Sequence, residues 1–409
     1  MSYGWKIIAA LFVVLCFTSG LGFYIHAVLL QALVAEKGFS ITEISAAVSL
    51  FFCSSGIAGL LISFLIERYD IRYIMVGGGF LGAATLSGIG FVTSPWHVYL
   101  LYLLFGIGFC ASGLLPATTL VARWFVDKRA IAMSVATTGL SVGGIVVTPL
   151  AALLVESSGL TFATPIFGVV YLLGVLPMTL LVIRPFPPAA QVLPPIEIKE
   201  EELSVEPLST LDENFGVTIR SAAFWGLSVA WIFVMLAQVG GIAHQYGLVT
   251  ENLPIAEAAM ALAVLPLFSV IGRILGGLVV GRVSGHAFSL LIMLLQGFSL
   301  IVLALSEGPI GLYLGLALFG ITVGNLLMLQ PLLIADVWGL RYYSRLYATS
   351  NLLTMLGVAF GPVLMGYMLS ETGNYTASYV LAGISSFVSV VVFYLWGPRP
   401  VRRQLSSAI

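Results

Sequence analysis

Long apolar stretches alternate with short polar breaks along the whole chain. Twelve such stretches can be marked, at 6–34, 42–66, 73–93, 96–122, 130–154, 161–183, 221–249, 256–281, 287–305, 309–335, 346–369 and 375–396. Each is long enough to cross a hydrocarbon layer of ~30 Å as a helix. Backbone groups in lipid must find partners within their own segment, so the expected elements are helices. The short alternating strands of a membrane barrel do not appear. The pattern predicts an all-α membrane protein with twelve transmembrane helices. Segment 1 is too long for a removable signal peptide, and "GLGFYIHAVLLQALVAEKG" offers no small-residue cleavage site.

Composition strengthens this reading. Of 409 residues, 59% are hydrophobic and 9% charged, too few charges to cover a water-soluble protein of this length. The net charge of −1 names no partner, and nothing points to nucleic acid. The distribution of charge is more informative. With the N-terminus inside, fifteen of the 17 Lys and Arg fall at the cytoplasmic side and only Lys37 outside. Cations collect on the cytoplasmic face of membrane proteins, so both termini are expected there, in the cell membrane. Cys16, Cys53 and Cys110 lie inside apolar segments, where neither disulfides nor a cysteine metal site is expected. The sequence has no nucleotide-binding loop, no paired intramembrane acids and no HExxH-type zinc site. It therefore implies no cofactor and no enzyme, and a monomer suffices as the working unit.

Residues 184–220, rich in proline and acid, interrupt the pattern and read as a cytoplasmic linker ending in a short amphipathic surface helix. They separate a six-helix bundle at 1–183 from a second at 221–397, and 398–409 form a cytoplasmic tail. The bundles resemble a parallel repeat at a shift of 214, which places Glu43 on Glu257, Arg68 on Arg282, Gly106 on Gly320 and Trp124 on Trp338. Ser40 and Glu43 also form a capping box for segment 2.

In this register Arg273, in "LFSVIGRILGGLVVG", falls on Gly59. A cation at mid-membrane costs at least ~2.5–3.5 kcal/mol unless relieved. None of the 18 Asp and Glu lies in a segment core, and the alternatives are that Arg273 snorkels to the cytoplasmic face or pairs with Asp336 at the inner end of segment 10. The missing anion is then expected to be cargo, a small organic monoanion whose carboxylate the planar guanidinium grips through two hydrogen bonds. Ser269, Gly276 and Gly277 share the face of Arg273 and leave room for it. Tyr24, Gln238 and Asn325 are candidate cavity-lining residues, with Thr138 and Ser141 behind them. For each, the alternative is an interhelical hydrogen bond. His26 and His244 titrate near neutral pH and are candidate proton sites.

The stretch "ATTLVARWFVDKRAIAMSVATTGLSVGGIVVTPL" (117–150), "YGWK" (3–6) and "FGVTIRSAAFWGL" (215–227) together resemble the major facilitator superfamily. More narrowly they are similar to monocarboxylate porters and their oxalate/formate-antiporter-like bacterial relatives. The resemblance implies two six-helix bundles that rock about a central site, and a helix-8 arginine that binds the substrate carboxylate, a place filled by Arg273. It also implies a conformational switch in the loop between segments 2 and 3, here "SFLIERYDIR" (63–72), with Glu67, Arg68 and Arg72 in it and Arg123 and Arg129 of the segment 4–5 loop as further switch residues. Oxalate exchangers carry a lysine in helix 11, and segment 11 has none, which points away from a dianion. Proton-coupled porters carry an aspartate one turn before the arginine, and Ser269 stands there. The expected function is transport of a lactate- or pyruvate-like monocarboxylate, by proton symport or anion exchange. Export of amphipathic compounds by proton antiport is the alternative.

Overall fold

A computed structural model of the chain describes residues 3–126, 128–187, 215–280 and 282–399. Among the described residues every regular element is helical, and twelve helices are long and apolar enough to cross a membrane. These spans, numbered in chain order, are Tyr3–Gly22, Glu43–Arg68, Ile71–Phe91, Pro95–Trp124, Arg129–Ser158, Leu160–Val182, Ala222–Asn252, Ala263–Val280, Gly285–Ala304, Pro309–Trp338, Tyr343–Thr372 and Tyr375–Trp396. An even number of crossings brings the start of span 1 and the end of span 12 to one end of the bundle, called here the terminal end.

Several spans are less regular than the hydrophobic pattern predicts. Segment 1, expected as one helix over 6–34, breaks at 23–25 and resumes as His26–Lys37. Ser19 O accepts from both Phe23 N and Tyr24 N at the break, at 2.8 and 3.0 Å. Gly22 lies under the Phe109 ring, where an added Cβ would come within 2.6 Å of a ring carbon. Span 4 divides at Gly113, and span 5 contains a π turn at Gly143–Val147. Hydropathy averaged over a window does not register such local breaks.

The helix ends follow local chemistry. Ser40 and Glu43 form the expected capping box, with Glu43 N donating to Ser40 Oγ at 3.2 Å and Ser40 N to Glu43 Oε2 at 2.9 Å. Ser221 caps span 7 by accepting from Phe224 N at 3.2 Å. Of the expected linker, 188–214 lie outside the described residues, and the amphipathic stretch is seen only as the short helix Phe215–Thr218. Residues 400–409 of the tail are likewise outside.

The packing repeats between the halves. Span 1 packs on span 5 as 7 does on 11, span 2 on 4 as 8 on 10, and span 3 on 6 as 9 on 12. Close glycine contacts fix the register. Gly106 rests against the Phe51 carbonyl and Gly320 against the Leu265 carbonyl, which keeps the shift of 214 for spans 2/8 and 4/10. Gly139 and Gly143 rest on the Phe12 and Cys16 carbonyls, as Gly357 and Gly361 rest on those of Ile232 and Leu236. That second match is displaced by several residues from 214, so the single shift read from the sequence does not extend to spans 1/7 and 5/11. The halves meet chiefly through span 5 against span 8 and span 2 against span 11.

Candidate functional site

Arg273 is fully buried in span 8, at the seam between the halves. Its Nε donates to Gly324 O of span 10 at 2.7 Å, and its Nη1 donates to Thr137 O of span 5. Its Nη2 is buried without a hydrogen-bond partner. Ser134 Oγ of span 5 donates to Arg273 O at 2.5 Å, so this one residue ties span 8 to both neighbours. No carboxylate reaches the guanidinium among the described residues. Asp336, the alternative partner, lies 2.5 Å from Arg129 instead.

Space for the side chain comes from an exchange of sizes between the repeats. In spans 2 and 4, Gly59 faces Cys110, whose sulfur would lie 3.7 Å from an added Cβ. In the matching register, spans 8 and 10 carry Arg273 and Gly324. A Cβ on Gly324 would run into Ser269 O and come within 3.1 Å of Arg273 N. The large side chain and the glycine have changed places, and the glycine presents its carbonyl to the arginine.

The other expected residues divide into those the fold brings to this place and those it does not. Ser269, one turn before Arg273, is buried and lies 3.3 Å from Ser141 across the seam. Asn325 is packed on Gly276, donates to Gly272 O and Ile321 O at 2.9 and 2.8 Å, and has a buried Oδ1 with no partner. Tyr24 sits at the break in span 1 with its ring over Gly144 and within electrostatic range of Arg273. It keeps 36% of its surface accessible beside Gly144 of span 5. Gln238 is buried in span 7 with Oε1 unpartnered. Thr138 instead donates to its own helix, at Ser134 O.

The two histidines fare differently. His26 is buried among Phe51, Phe52, Tyr102 and Phe105, with ring centroids 4.3 to 6.2 Å apart, and neither ring nitrogen makes a hydrogen bond. His244 Nε2 lies 3.0 Å from Pro362 O of span 11. Among the described residues neither pairs with an acid or with the other.

Most of the predicted switch residues gather at the terminal end. Arg129 of span 5 meets Asp336 of span 10, and Glu67 of span 2 meets Arg345 of span 11 at 2.6 Å. Both pairs cross between the halves. Phe64 lies under Arg68 at 4.0 Å and under Arg345 at 5.5 Å. Arg123 Nη2 donates to Ile66 O at 3.3 Å within the first half. Among the described residues Arg72 bonds Asp70 alone, at 2.7 Å, within the first half. Burial alone would raise the Asp70 carboxyl, but its hydrogen bonds from Arg72 outweigh that and hold it below the usual range. From this end, the bonds joining the halves rise through Thr119–Ser344 and Ser134–Arg273 to Ser141–Ser269 at mid-height.

Sequence reasoning missed Thr137, Ser134, Gly324 and Arg345. Thr137 and Gly324 act through backbone carbonyls, which every residue has, so side-chain identity carries no signal for them. Gly324 could have been found by asking what the repeat places opposite Cys110.

Two repeated six-helix halves with polar groups buried at mid-membrane along their seam define a membrane transporter. The profile of the Major Facilitator Superfamily matches residues 12–341 and 254–409, and the chain belongs to that superfamily. It is a transporter and not an enzyme. Monocarboxylate transporter 13 of Bos taurus is 27% identical over 331 residues, which cover 78% of this chain and 72% of the relative. Monocarboxylate transporter 12 of Xenopus laevis is 25% identical over 394 residues, covering 84% and 78%. The MFS transporter asaE of Aspergillus flavus is 25% identical over 344 residues, covering 80% and 71%. Among solved structures, the E. coli fucose:proton symporter superposes with TM-score 0.74 at 16% identity, over 98% of this chain and 100% of that one. The human organic anion transporter MFSD10 (TETRAN) does so with TM-score 0.69 at 13% identity, over 95% and 99%.

Proposed function

We propose that the protein carries a small organic monocarboxylate across the cell membrane by alternating access, with both termini cytoplasmic. The observation that carries this reading is Arg273: a fully buried guanidinium, held at Nε and Nη1 by carbonyls alone, with Nη2 unpartnered. Carbonyls supply partial negative charge but leave the site with a net cation. A bound monoanion restores neutrality, and a carboxylate suits the free edge of the planar fork. The two monocarboxylate transporter relatives support the same class of cargo. Lactate and pyruvate are the members of that class we expect it to carry.

Alternating access needs one end closed while the other is open. The Arg129–Asp336 and Glu67–Arg345 pairs are the latches of the closed terminal end. Substrate then enters from the opposite end, past Tyr24. Exchange of one anion for another fits the lone cation directly. Proton symport would use His26 or His244, and His26, caged by rings and without a partner, would need water to reach it first.

Uptake of labelled lactate, pyruvate, formate and oxalate into proteoliposomes tests the reading, with a pH gradient or internal anion as the drive. Uptake of the monocarboxylates that is lost in Arg273→Ala is expected. No uptake of any carboxylate, with competition by lipophilic cations instead, would overturn it in favour of export of amphipathic compounds.

A further inference from the structure

Arg273 supplies charge on one side of the seam, and the first half answers it with a wall of a different kind. Phe23 and Tyr24 stand at the break in span 1 with ring centroids 5.0 Å apart, and Phe23 lies 5.6 Å from Phe52 of span 2. The array continues through Phe51, 5.1 Å from Phe52, to Phe105 and Phe109 of span 4 at 5.1 and 5.2 Å. Phe51 and Phe105 are buried and belong to the core, but Phe23 and Tyr24 are 38% and 36% exposed. Phe52 is half-buried and shares its helix face with Gly56, one turn on, whose contacts are Leu352 and Met355 of span 11. That face looks toward the other half, so the Phe52 ring borders the space between them.

The fold does not require this wall. In the register that the glycine contacts keep for spans 2/8 and 4/10, Phe51, Phe52 and Phe109 correspond to Leu265, Pro266 and Val323. Of the array's rings on spans 2 and 4 only Phe105 has an aromatic counterpart, Phe319, so the others are peculiar to one half and the cation to the other. Tyr24 joins them, being part of the array and within electrostatic range of Arg273. The wall also holds polar atoms without a well-aligned partner: the nitrogens of His26, itself more than nine-tenths buried and close to the Gly22 backbone, and Tyr102 Oη. Their ring centroids lie 5.5 Å apart. Buried polar atoms without partners are uncommon, and a ligand or a water brought with it can satisfy them.

We propose that the preferred cargo is an aromatic monocarboxylate, its carboxylate on Arg273 and its ring against Phe23, Tyr24 and Phe52. The proposal rests on the carboxylate reading and narrows it. A two- or three-carbon acid satisfies the cation but leaves these rings facing water. An aryl acid fills both sides, with edge-to-face or offset packing available from three rings.

The test pairs acids that differ only by a phenyl group: phenylpyruvate against pyruvate, and 3-phenyllactate against lactate. Each is measured as proteoliposome uptake and as a thermal shift of the purified protein. The expected result is half-saturation by the aryl acid at a concentration about tenfold lower or better. Phe23→Leu and Phe52→Leu should erase most of that difference, raising the half-saturating concentration of the aryl acid more than that of pyruvate. The thermal shift with pyruvate reports whether either variant still folds and binds. Equal or better handling of pyruvate by the native protein would overturn the aromatic preference and leave the Arg273 reading standing. Failure to bind either acid would overturn both, and equal competition by the uncharged phenylacetamide, measured against phenylpyruvate uptake, would sink the carboxylate reading and this proposal with it.

Discussion

Gly324 offers its carbonyl to Arg273 Nε at 2.7 Å, and its lack of a side chain is what lets spans 8 and 10 come close enough to do so. The glycine therefore serves the arginine twice, as acceptor and as space. Gly324→Ala would drive a Cβ into Ser269 O and crowd the Arg273 backbone. Overpacking of this kind costs about 1–3 kcal/mol. A lower melting temperature in detergent, with weaker carboxylate binding, is expected. An unchanged melting temperature would show that the helices part without cost.

Arg273→Lys keeps the charge but loses the fork. A lysine ammonium has three donors around one point and cannot reach Gly324 O and Thr137 O while leaving a flat edge for a carboxylate. Uptake should fall by at least tenfold, through both affinity and rate. Near-normal transport by this variant would remove the bidentate argument.

The latches at the terminal end can be tested by charge exchange. Asp336→Asn leaves Arg129, itself 8% exposed, facing a neutral partner, and Glu67→Gln does the same to Arg345. Either should shift the population toward the form open at the terminal end. That shift would appear as faster alkylation of cysteines introduced beside Thr119 and Ser344, which lie 3.5 Å apart where the halves meet. The swap Arg129→Asp with Asp336→Arg should restore the slow rate. Equal alkylation in all variants would show that these pairs do not hold the end shut.

Asp70 provides a pH-dependent contribution with a definite sign. It caps span 3 by accepting from Arg72 N at 2.9 Å and pairs with the Arg72 side chain. Its carboxyl titrates below the usual range, so this contribution is complete above the ordinary aspartate value and is lost as pH falls through the lowered one. Asp70→Ala should cost about 1 kcal/mol at neutral pH, the worth of an N-cap. The cost should shrink in strong acid, where the native carboxyl is also neutral. Thermal melts of both proteins across pH would show the two curves converging.

Particular residues show how far the sequence could be read. Ser40 and Glu43 announced their helix start because a capping box uses neighbours in the chain. Arg273 announced itself as an isolated charge among apolar residues, and Glu67, Arg123 and Arg129 as members of a patterned loop. The break at Phe23–Ile25 did not, since it depends on Phe109 pressing on Gly22 from another helix. Nor did Arg345, one more terminal-end cation in the chain, whose pairing with Glu67 exists only once spans 2 and 11 meet.

The hydrophobic pattern by itself determined the twelve crossings, the division into halves and the presence of one cation without an acid, because hydration of side chains and the pairing of helical backbone are local costs. Only the tertiary structure decided that carbonyls from two other spans hold that cation, that Asp336 belongs to Arg129, and that rings from spans 1, 2 and 4 form one wall. Those outcomes depend on which helix faces meet and at what height. In lipid the hydrophobic effect does not choose between faces, and close packing at glycines, together with unsatisfied polar atoms, makes the choice.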